Sequence, residues 1–165
     1  MENNKKKNHK YDLAEVEFKY TDGNDLDFSM LCNKLDNALD DLVGGKFKRT
    51  QYEPYNQRED IHDVILAYRK GKAIACGGFK MFDKEHAELK RIFTDASNRN
   101  MGIGTEIVKR LEELAKIKGF KWCILETGNL LEVACYIYQK AGYKIIPNYG
   151  PYTDMKDSIC MERLL

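Results

Sequence analysis

The chain has 165 residues, of which 43% are hydrophobic, and its 27 basic and 26 acidic side chains leave a formal charge of +1. This length favours one domain with a sizeable core, and the composition excludes general disorder. The charge balance lacks the large basic excess typical of nucleic-acid-binding proteins, so we expect no nucleic-acid partner.

Sequence features also bear on cellular location. No run of about 18 apolar residues occurs, and the first ten residues lack the apolar centre of a signal peptide. The five cysteines are odd in number and show no C-x-x-C spacing, so we expect unpaired thiols in a reducing compartment and no metal site. We therefore expect a cytoplasmic protein with no membrane partner.

The first half of the chain predicts a strand, a helix and a long loop. Residues 1–10 are polar and predict a flexible tail, which leaves residues 11–165 as a single domain. Residues 14–20 alternate between apolar and polar side chains, a pattern typical of a half-buried strand. Apolar residues then recur at intervals of three and four over residues 25–43 and predict an amphipathic helix. Residues 46–60 are polar and predict a loop, which at this length is usually functional or mobile.

The second half predicts three strands, two helices and further strands. Residues 63–68, 73–82 and 85–94 are separated by short turns, so we expect an antiparallel meander. A helix over 101–118, a strand over 122–126 and a helix over 130–141 follow, and strands over 144–146 and 158–163 end the chain. The order β-α-β-β-β-α-β-α-β-β predicts a mixed α/β fold with one right-handed βαβ crossover.

The most informative stretch is RNMGIGT, residues 99–105, at the start of the second helix. Two glycines there leave backbone N–H groups uncovered, and such a helix start can hold a phosphate. The alternative is that Gly102 and Gly104 only permit a tight turn. A nucleotide-triphosphate loop is excluded because no G-x-x-x-x-G-K-S/T string occurs. A dinucleotide fingerprint is disfavoured because Ile107 stands where its third glycine belongs.

Two motifs resemble the GNAT superfamily of N-acetyltransferases. Arg99-x-x-Gly102-x-Gly104 is similar to the acetyl-CoA signature Q/R-x-x-G-x-G/A, and residues 134–143 resemble the later motif A-x-x-x-Y-x-x-x-G-F/Y. The resemblance covers residues 61–165. It departs from the common pattern at Asn100, where most relatives carry glycine, and at Leu131, where many carry Asn or Gln.

The resemblance implies a central, mixed and mostly antiparallel sheet of about seven strands with about four flanking helices. It implies acetyl-CoA as the acetyl donor. The pyrophosphate would lie against Arg99, Asn100, Met101, Gly102, Ile103, Gly104 and Thr105. The pantetheine arm would pair with the backbone of Ile92, Phe93 and Thr94, in the manner of an added strand.

Two residues match catalytic positions in relatives. Glu88 matches a general base that deprotonates the amine, and Tyr138 matches an acid that protonates the departing thiolate and also contacts the cofactor. The alternatives are an ion pair of Glu88 with Lys90 or Arg91, and simple packing of Tyr138 on its helix. Direct transfer in a ternary complex requires no acyl-cysteine.

The acceptor is less well defined by the sequence. Arg49, Tyr52, Tyr55 and Tyr152, with Tyr149 nearby, are candidates for an acceptor pocket, and each has packing or surface exposure as its alternative. Arg49 could bind a carboxylate, which favours a small amine or amino-acid-like acceptor. The strings LETG (125–128) and YGPY (149–152) resemble a bacterial subset that acts on small molecules. We expect an N-acetyltransferase, monomeric or homodimeric; the alternative is a non-catalytic acyl-CoA-binding protein.

Overall fold

The computed structural model describes residues 13–165, apart from the side chains of residues 46–48. The predicted tail, residues 1–10, lies outside this range. The described residues form a seven-stranded sheet with strands β1 Val16–Thr21, β2 Asp63–Arg69, β3 Lys72–Met81, β4 His86–Thr94, β5 Trp122–Gly128, β6 Lys144–Ile146 and β7 Ser158–Leu164. The same range contains helices α1 Leu26–Val43, α2 Ile103–Ile117 and α3 Glu132–Lys140.

The strands lie in the order β1-β2-β3-β4-β5-β7-β6. Neighbours are antiparallel except for β4 and β5, which are parallel and joined through α2. The predicted element order, the mostly antiparallel sheet and the βαβ crossover are therefore confirmed. Pairing between β4 and β5 covers only residues 86–88 against residues 122–124, although both strands continue further. The two strands part beyond this point and leave an opening within the sheet.

A bulge in β4 lies beside this opening. Arg91 has a φ of 61°, in the left-handed region, and the pairing of β4 with β3 shifts between Cys76 and Gly78. A Cβ atom on Gly77 would lie 2.5 Å from Cδ1 of Ile92 and 2.8 Å from Cγ2 of Ile107, so any larger residue there would force these side chains to shift. A bulge of this kind bends its strand and redirects the side chains that follow.

Helices α1 and α2 cover opposite faces of the sheet. Ile65 of β2 belongs to the core cluster that contains the apolar face of α2, whereas Leu66 belongs to the cluster around Phe28 and Leu31 of α1. Because successive strand residues point to opposite faces, this alternation places a helix layer on each side. None of the helices in residues 13–165 has the length and apolarity needed to cross a membrane.

The segment predicted as a long loop is more regular than expected. Lys46–Tyr55 forms 3-10 turns, which together with the three α-helices provide four longer helical segments, as the resemblance implied. Two short 3-10 segments, Ala96–Asn98 and Gly150–Tyr152, also occur among the described residues. The Tyr52 hydroxyl lies 3.2 Å from Oγ of Ser158, and the Arg49 guanidinium donates to Asp40 at 3.2 Å. Ser158 is 106 residues from Tyr52 in the chain, so local periodicity could not reveal this contact of the ordered segment.

Candidate active site

A cavity of about 340 Å³ lies where β4 and β5 part. Residues 89–92 and 125–128 line it from the two strands. Helix α1 and the 46–55 segment line one side, and residues 129–131 with α3 line the other. The cavity therefore lies beyond the paired part of two parallel strands, near their carboxyl ends, a usual place for ligands in α/β sheets.

The C-terminal half of α1 forms an apolar wall of this cavity. Phe28 and Leu31, in the first half of the helix, are fully buried in the core. The wall is formed by Leu35, Leu39, Leu42 and Val43. Leu42 is 48% exposed, so the apolar stripe predicted from the sequence serves the core at one end and the cavity at the other.

Glu126 of β5 brings a carboxylate to the cavity wall. Burial raises the pKa of this carboxyl, while a hydrogen bond with Ser158 and the nearby charges of Lys90 and Arg49 act in the opposite direction. Glu126 is not among the site residues predicted from the sequence. The available signal was an acidic residue inside the short apolar strand predicted over residues 122–126.

Glu88 does not line the cavity. It is 3% exposed, and its Oε1 atom lies 3.2 Å from Nζ of Lys90, which does line the cavity. Lys90 also donates a hydrogen bond of 2.8 Å to the Tyr152 hydroxyl. Burial lowers the pKa of Lys90, although the adjacent Glu88 opposes this shift. The ion pair considered as an alternative is present, and a catalytic role for Glu88 stays a prediction.

Two arginines on the cavity wall are paired with aspartates of α1. The Arg91 guanidinium donates to both carboxylate oxygens of Asp36, each at 2.9 Å, and to the carbonyl oxygen of Cys32 at 2.9 Å. Arg49 donates to Asp40 at 3.2 Å and lies 4.0 Å from Asp36. The positive charges on this wall are thus largely neutralised by the protein itself.

Tyr138 projects from α3 onto the cavity wall. Its ring also packs edge-on against Tyr143, with 5.8 Å between ring centroids, so packing and a cavity position coexist. Burial raises the pKa of Tyr138 above its ordinary value of 10.0, and the phenol therefore stays protonated at neutral pH. A neutral phenol in a cavity is a proton donor, as the predicted acid requires.

The start of α2 has the geometry expected of an anion site. Gly102, the N-cap, has a φ of 76° and provides no side-chain cap, and Glu106 N–H donates to the Gly102 carbonyl oxygen at 3.0 Å. Asn100, where most relatives carry glycine, has a φ of 62° and therefore adopts the left-handed conformation that asparagine tolerates. A Cβ on Gly104 would have Thr94 Oγ1 as its nearest neighbour, at 3.4 Å. The first-turn N–H groups have no partner within the helix and no side-chain cap, and such a donor set fits a diphosphate.

Strand β4 connects this helix start with the cavity. Ile92 lines the cavity, Thr94 lies against Gly104, and the exposed Arg99 donates to the Thr94 carbonyl oxygen at 3.1 Å. Two strand residues span about 7 Å. Beyond Glu88 the pairing of β4 with β5 has ended. An extended, amide-rich chain therefore fits along the edge formed by residues 92–94.

The predicted acceptor residues separate into two groups. Arg49 and Tyr52 line the cavity, whereas Tyr55 and Tyr152 are not part of its wall. Tyr152 is 1% exposed, and its ring contacts those of Tyr55 and Tyr149 with centroid distances of 6.0 and 5.7 Å. These aromatic contacts and the hydrogen bond donated by Lys90 hold Tyr152 behind the cavity wall. Within residues 13–165, no group of three or more His, Cys, Asp or Glu side chains could hold a metal ion.

Comparison with known proteins agrees with this architecture. The model of the acetyltransferase (GNAT) family matches residues 32–143. An IAA acetyltransferase of Azospirillum brasilense is 29% identical over 137 residues, which cover 82% of this chain and 88% of the relative.

Solved structures show the same fold at low sequence identity. A Klebsiella pneumoniae structure assigned as an acyl-CoA N-acyltransferase has a TM-score of 0.76 and 22% identity, covering 92% of this chain and 99% of the other. A GNAT family acetyltransferase of Elizabethkingia anophelis with acetyl-CoA bound has a TM-score of 0.64 and 24% identity, with the same coverage. Since the family model spans most of the described sheet and helices, the chain belongs to the acetyltransferase (GNAT) family.

Proposed function

We propose that this protein transfers the acetyl group of acetyl-CoA to the primary amine of a small molecule by direct attack in a ternary complex. The observation that carries the proposal is a continuous path. It runs from the open helix start at Gly102, along residues 92–94 of β4, to a cavity that holds Glu126 and Tyr138. The acetyl-CoA bound to the Elizabethkingia anophelis structure supports this donor.

The donor would be held by backbone groups and one arginine. The first-turn N–H groups of Ile103, Gly104 and Thr105, with the Arg99 side chain, would hold the pyrophosphate. The backbone of residues 92–94 would pair with the pantetheine amides. Acetyl-CoA when bound supplies the acetyl group as a thioester. The N–H groups of this strand edge are suited to polarise the thioester carbonyl.

Glu126 is the proposed general base. It lines the cavity, and burial raises its pKa, which makes the carboxylate a better proton acceptor. The apolar wall of α1 lowers the pKa of an ammonium placed beside it, so the transfer of its proton to Glu126 becomes easier. Glu88 is the second candidate, and it contacts the cavity through Lys90 at 3.2 Å.

Tyr138 is the proposed general acid. The amine nitrogen forms a bond to the carbonyl carbon, the carbon–sulfur bond breaks, and the Tyr138 hydroxyl gives its proton to the sulfur. The second nitrogen proton restores Tyr138, so an ammonium and a thioester yield an amide, a thiol and one proton. The burial that raises the pKa of Tyr138 also raises the proton affinity of a sulfur anion formed beside it.

The test measures donor binding and turnover separately. Acetyl-CoA is expected to raise the unfolding temperature, because a ligand of the folded state stabilises it by mass action. Free thiol is then measured with a panel of primary amines, and at least one amine is expected to release thiol and gain an acetyl group by mass spectrometry. Stabilisation without turnover would favour the non-catalytic acyl-CoA-binding alternative, consistent with Leu131 on the cavity wall. No stabilisation and no turnover would contradict both functions.

A further inference from the structure

Resting on the proposed function, we infer that the acceptor is a primary ammonium on an apolar aryl or alkyl body, with no carboxylate beside the amine. The inference depends on the distribution of apolar surface and charge around the cavity. It differs from the amino-acid-like acceptor that Arg49 suggested in the sequence.

The apolar body of the acceptor has a matching surface. Leu35, Leu39 and Leu42 lie at intervals of four and three along α1 and present one aliphatic face to the cavity. Leu130 lines the opposite side and is 59% exposed. A ligand body between these two sides would remove apolar surface from water on both of its faces.

The positive charges of the wall are already engaged by carboxylates of the protein. Arg91 makes a bidentate contact with Asp36, and Arg49 donates to Asp40 at 3.2 Å. Lys90 lies 3.2 Å from Glu88. A substrate carboxylate would therefore have to compete with the aspartates and the glutamate that hold these cations, and would gain little attraction from them.

The negative charges of the wall favour a cation in the cavity. Glu126 and Asp157 both line it, and neither forms an ion pair among the described side chains. Asp157 accepts a hydrogen bond of 3.3 Å from Asn129. The charges of Lys90 and Arg49 act on Glu126, but these cations are paired with other carboxylates of the protein. An ammonium beside Glu126 would form the direct ion pair that Glu126 lacks, and the same carboxylate would then accept its proton. A carboxylate attached next to that ammonium would be brought close to Glu126, where like charges repel.

Matched pairs of acceptors test the inference. Phenethylamine and phenylalanine share one body, as do tryptamine and tryptophan, and each pair differs by a carboxylate. The expected kcat/KM of the amine exceeds that of the amino acid by about tenfold or more. An amino acid acetylated as well as its amine, or better, would overturn the inference while leaving the proposed function intact. If no amine or amino acid releases thiol, the proposed function itself has failed.

Substitutions on α1 test the apolar wall. Leu39→Asn is expected to raise KM for phenethylamine several-fold and to leave KM for ethanolamine, which has almost no apolar body, nearly unchanged. Met30→Asn is the matched control, because Met30 is an exposed apolar residue of the same helix outside the cavity wall. An unchanged KM for acetyl-CoA shows that each variant is folded. Equal effects of Leu39→Asn on both amines, or no effect on either, would overturn the assignment of this wall to the acceptor.

Discussion

The Nζ atom of Lys90 lies 3.2 Å from Oε1 of Glu88, and both side chains are less than a tenth exposed. This ion pair places a cation on the cavity wall and a carboxylate behind it. Glu126, on the neighbouring strand β5, lines the cavity, whereas Glu88 does not. The two glutamates can be distinguished by experiment, because one is expected to act in catalysis and the other in stability.

Glu126→Gln is expected to lower kcat by about a hundredfold or more, since an amide cannot accept the proton of the ammonium. The variant is measured by thiol release with the best amine of the panel. Glu88→Gln is the matched comparison. It removes the carboxylate that pairs with the buried Lys90, so its main expected effect is a loss of about 3–5 kcal/mol in the free energy of unfolding. If the Glu88→Gln protein were folded but inactive and the Glu126→Gln protein were active, Glu88 and not Glu126 would be the general base.

The stability of Glu126→Gln relative to the native protein is expected to depend on pH. Burial raises the pKa of Glu126 above its ordinary value of 4.5, so the folded protein binds this proton more tightly than the unfolded chain does. The contribution of Glu126 to stability therefore falls as the pH rises from the unfolded to the folded pKa, and stays low above it.

Glutamine does not titrate, so the variant is expected to gain stability relative to the native protein over this window. Urea unfolding of both proteins from about pH 4 to about pH 8 measures the difference. A difference that does not change with pH, or that changes in the opposite direction, would contradict the raised pKa.

Tyr138→Phe is expected to lower kcat with little change in KM for acetyl-CoA, because the phenylalanine ring keeps the packing against Tyr143 and removes only the proton donor. Tyr136→Phe, on the same helix, is the control. Tyr136 is 60% exposed and does not line the cavity, so full activity is expected. Equal activity of the two variants would show that Tyr138 is not the general acid.

Gly104→Glu is expected to separate folding from donor binding. A Cβ at this position meets only Thr94 Oγ1 at 3.4 Å, and a carboxylate in the first turn of α2 favours the helix by about 0.3–1 kcal/mol. The unfolding temperature is therefore expected to stay the same or rise. KM for acetyl-CoA is expected to rise steeply, because the new charge lies where the pyrophosphate would bind.

Gly104→Ala is the matched control for that experiment. It adds the same Cβ without a charge, and its KM for acetyl-CoA is expected to stay close to that of the native protein. If Gly104→Glu bound acetyl-CoA as tightly as Gly104→Ala, the start of α2 would not be the pyrophosphate site.

Much of the architecture could be predicted because its signals are local. Intervals of three and four between apolar residues predicted α1 and α2, and the glycines indicated a tight turn before α2, where Asn100 and Gly102 have positive φ values. The end of a strand depends on the neighbouring strand that pairs with it, which is distant in sequence. Predicted and observed strand ends therefore differ slightly. The predicted strand over residues 122–126, for example, continues to Gly128 because β7 pairs with it that far.

By itself, the sequence determined the element order and the family resemblance, and it predicts an anion site at residues 102–105, because each depends on residues close together in the chain. Only the tertiary structure decided which glutamate faces the cavity. Glu88 is the last residue of β4 that pairs with β5, opposite Ile124, whereas Glu126 lies just past the point where the strands part. That point, like the pairing of Arg91 with Asp36, depends on contacts between residues far apart in sequence, which no local pattern encodes.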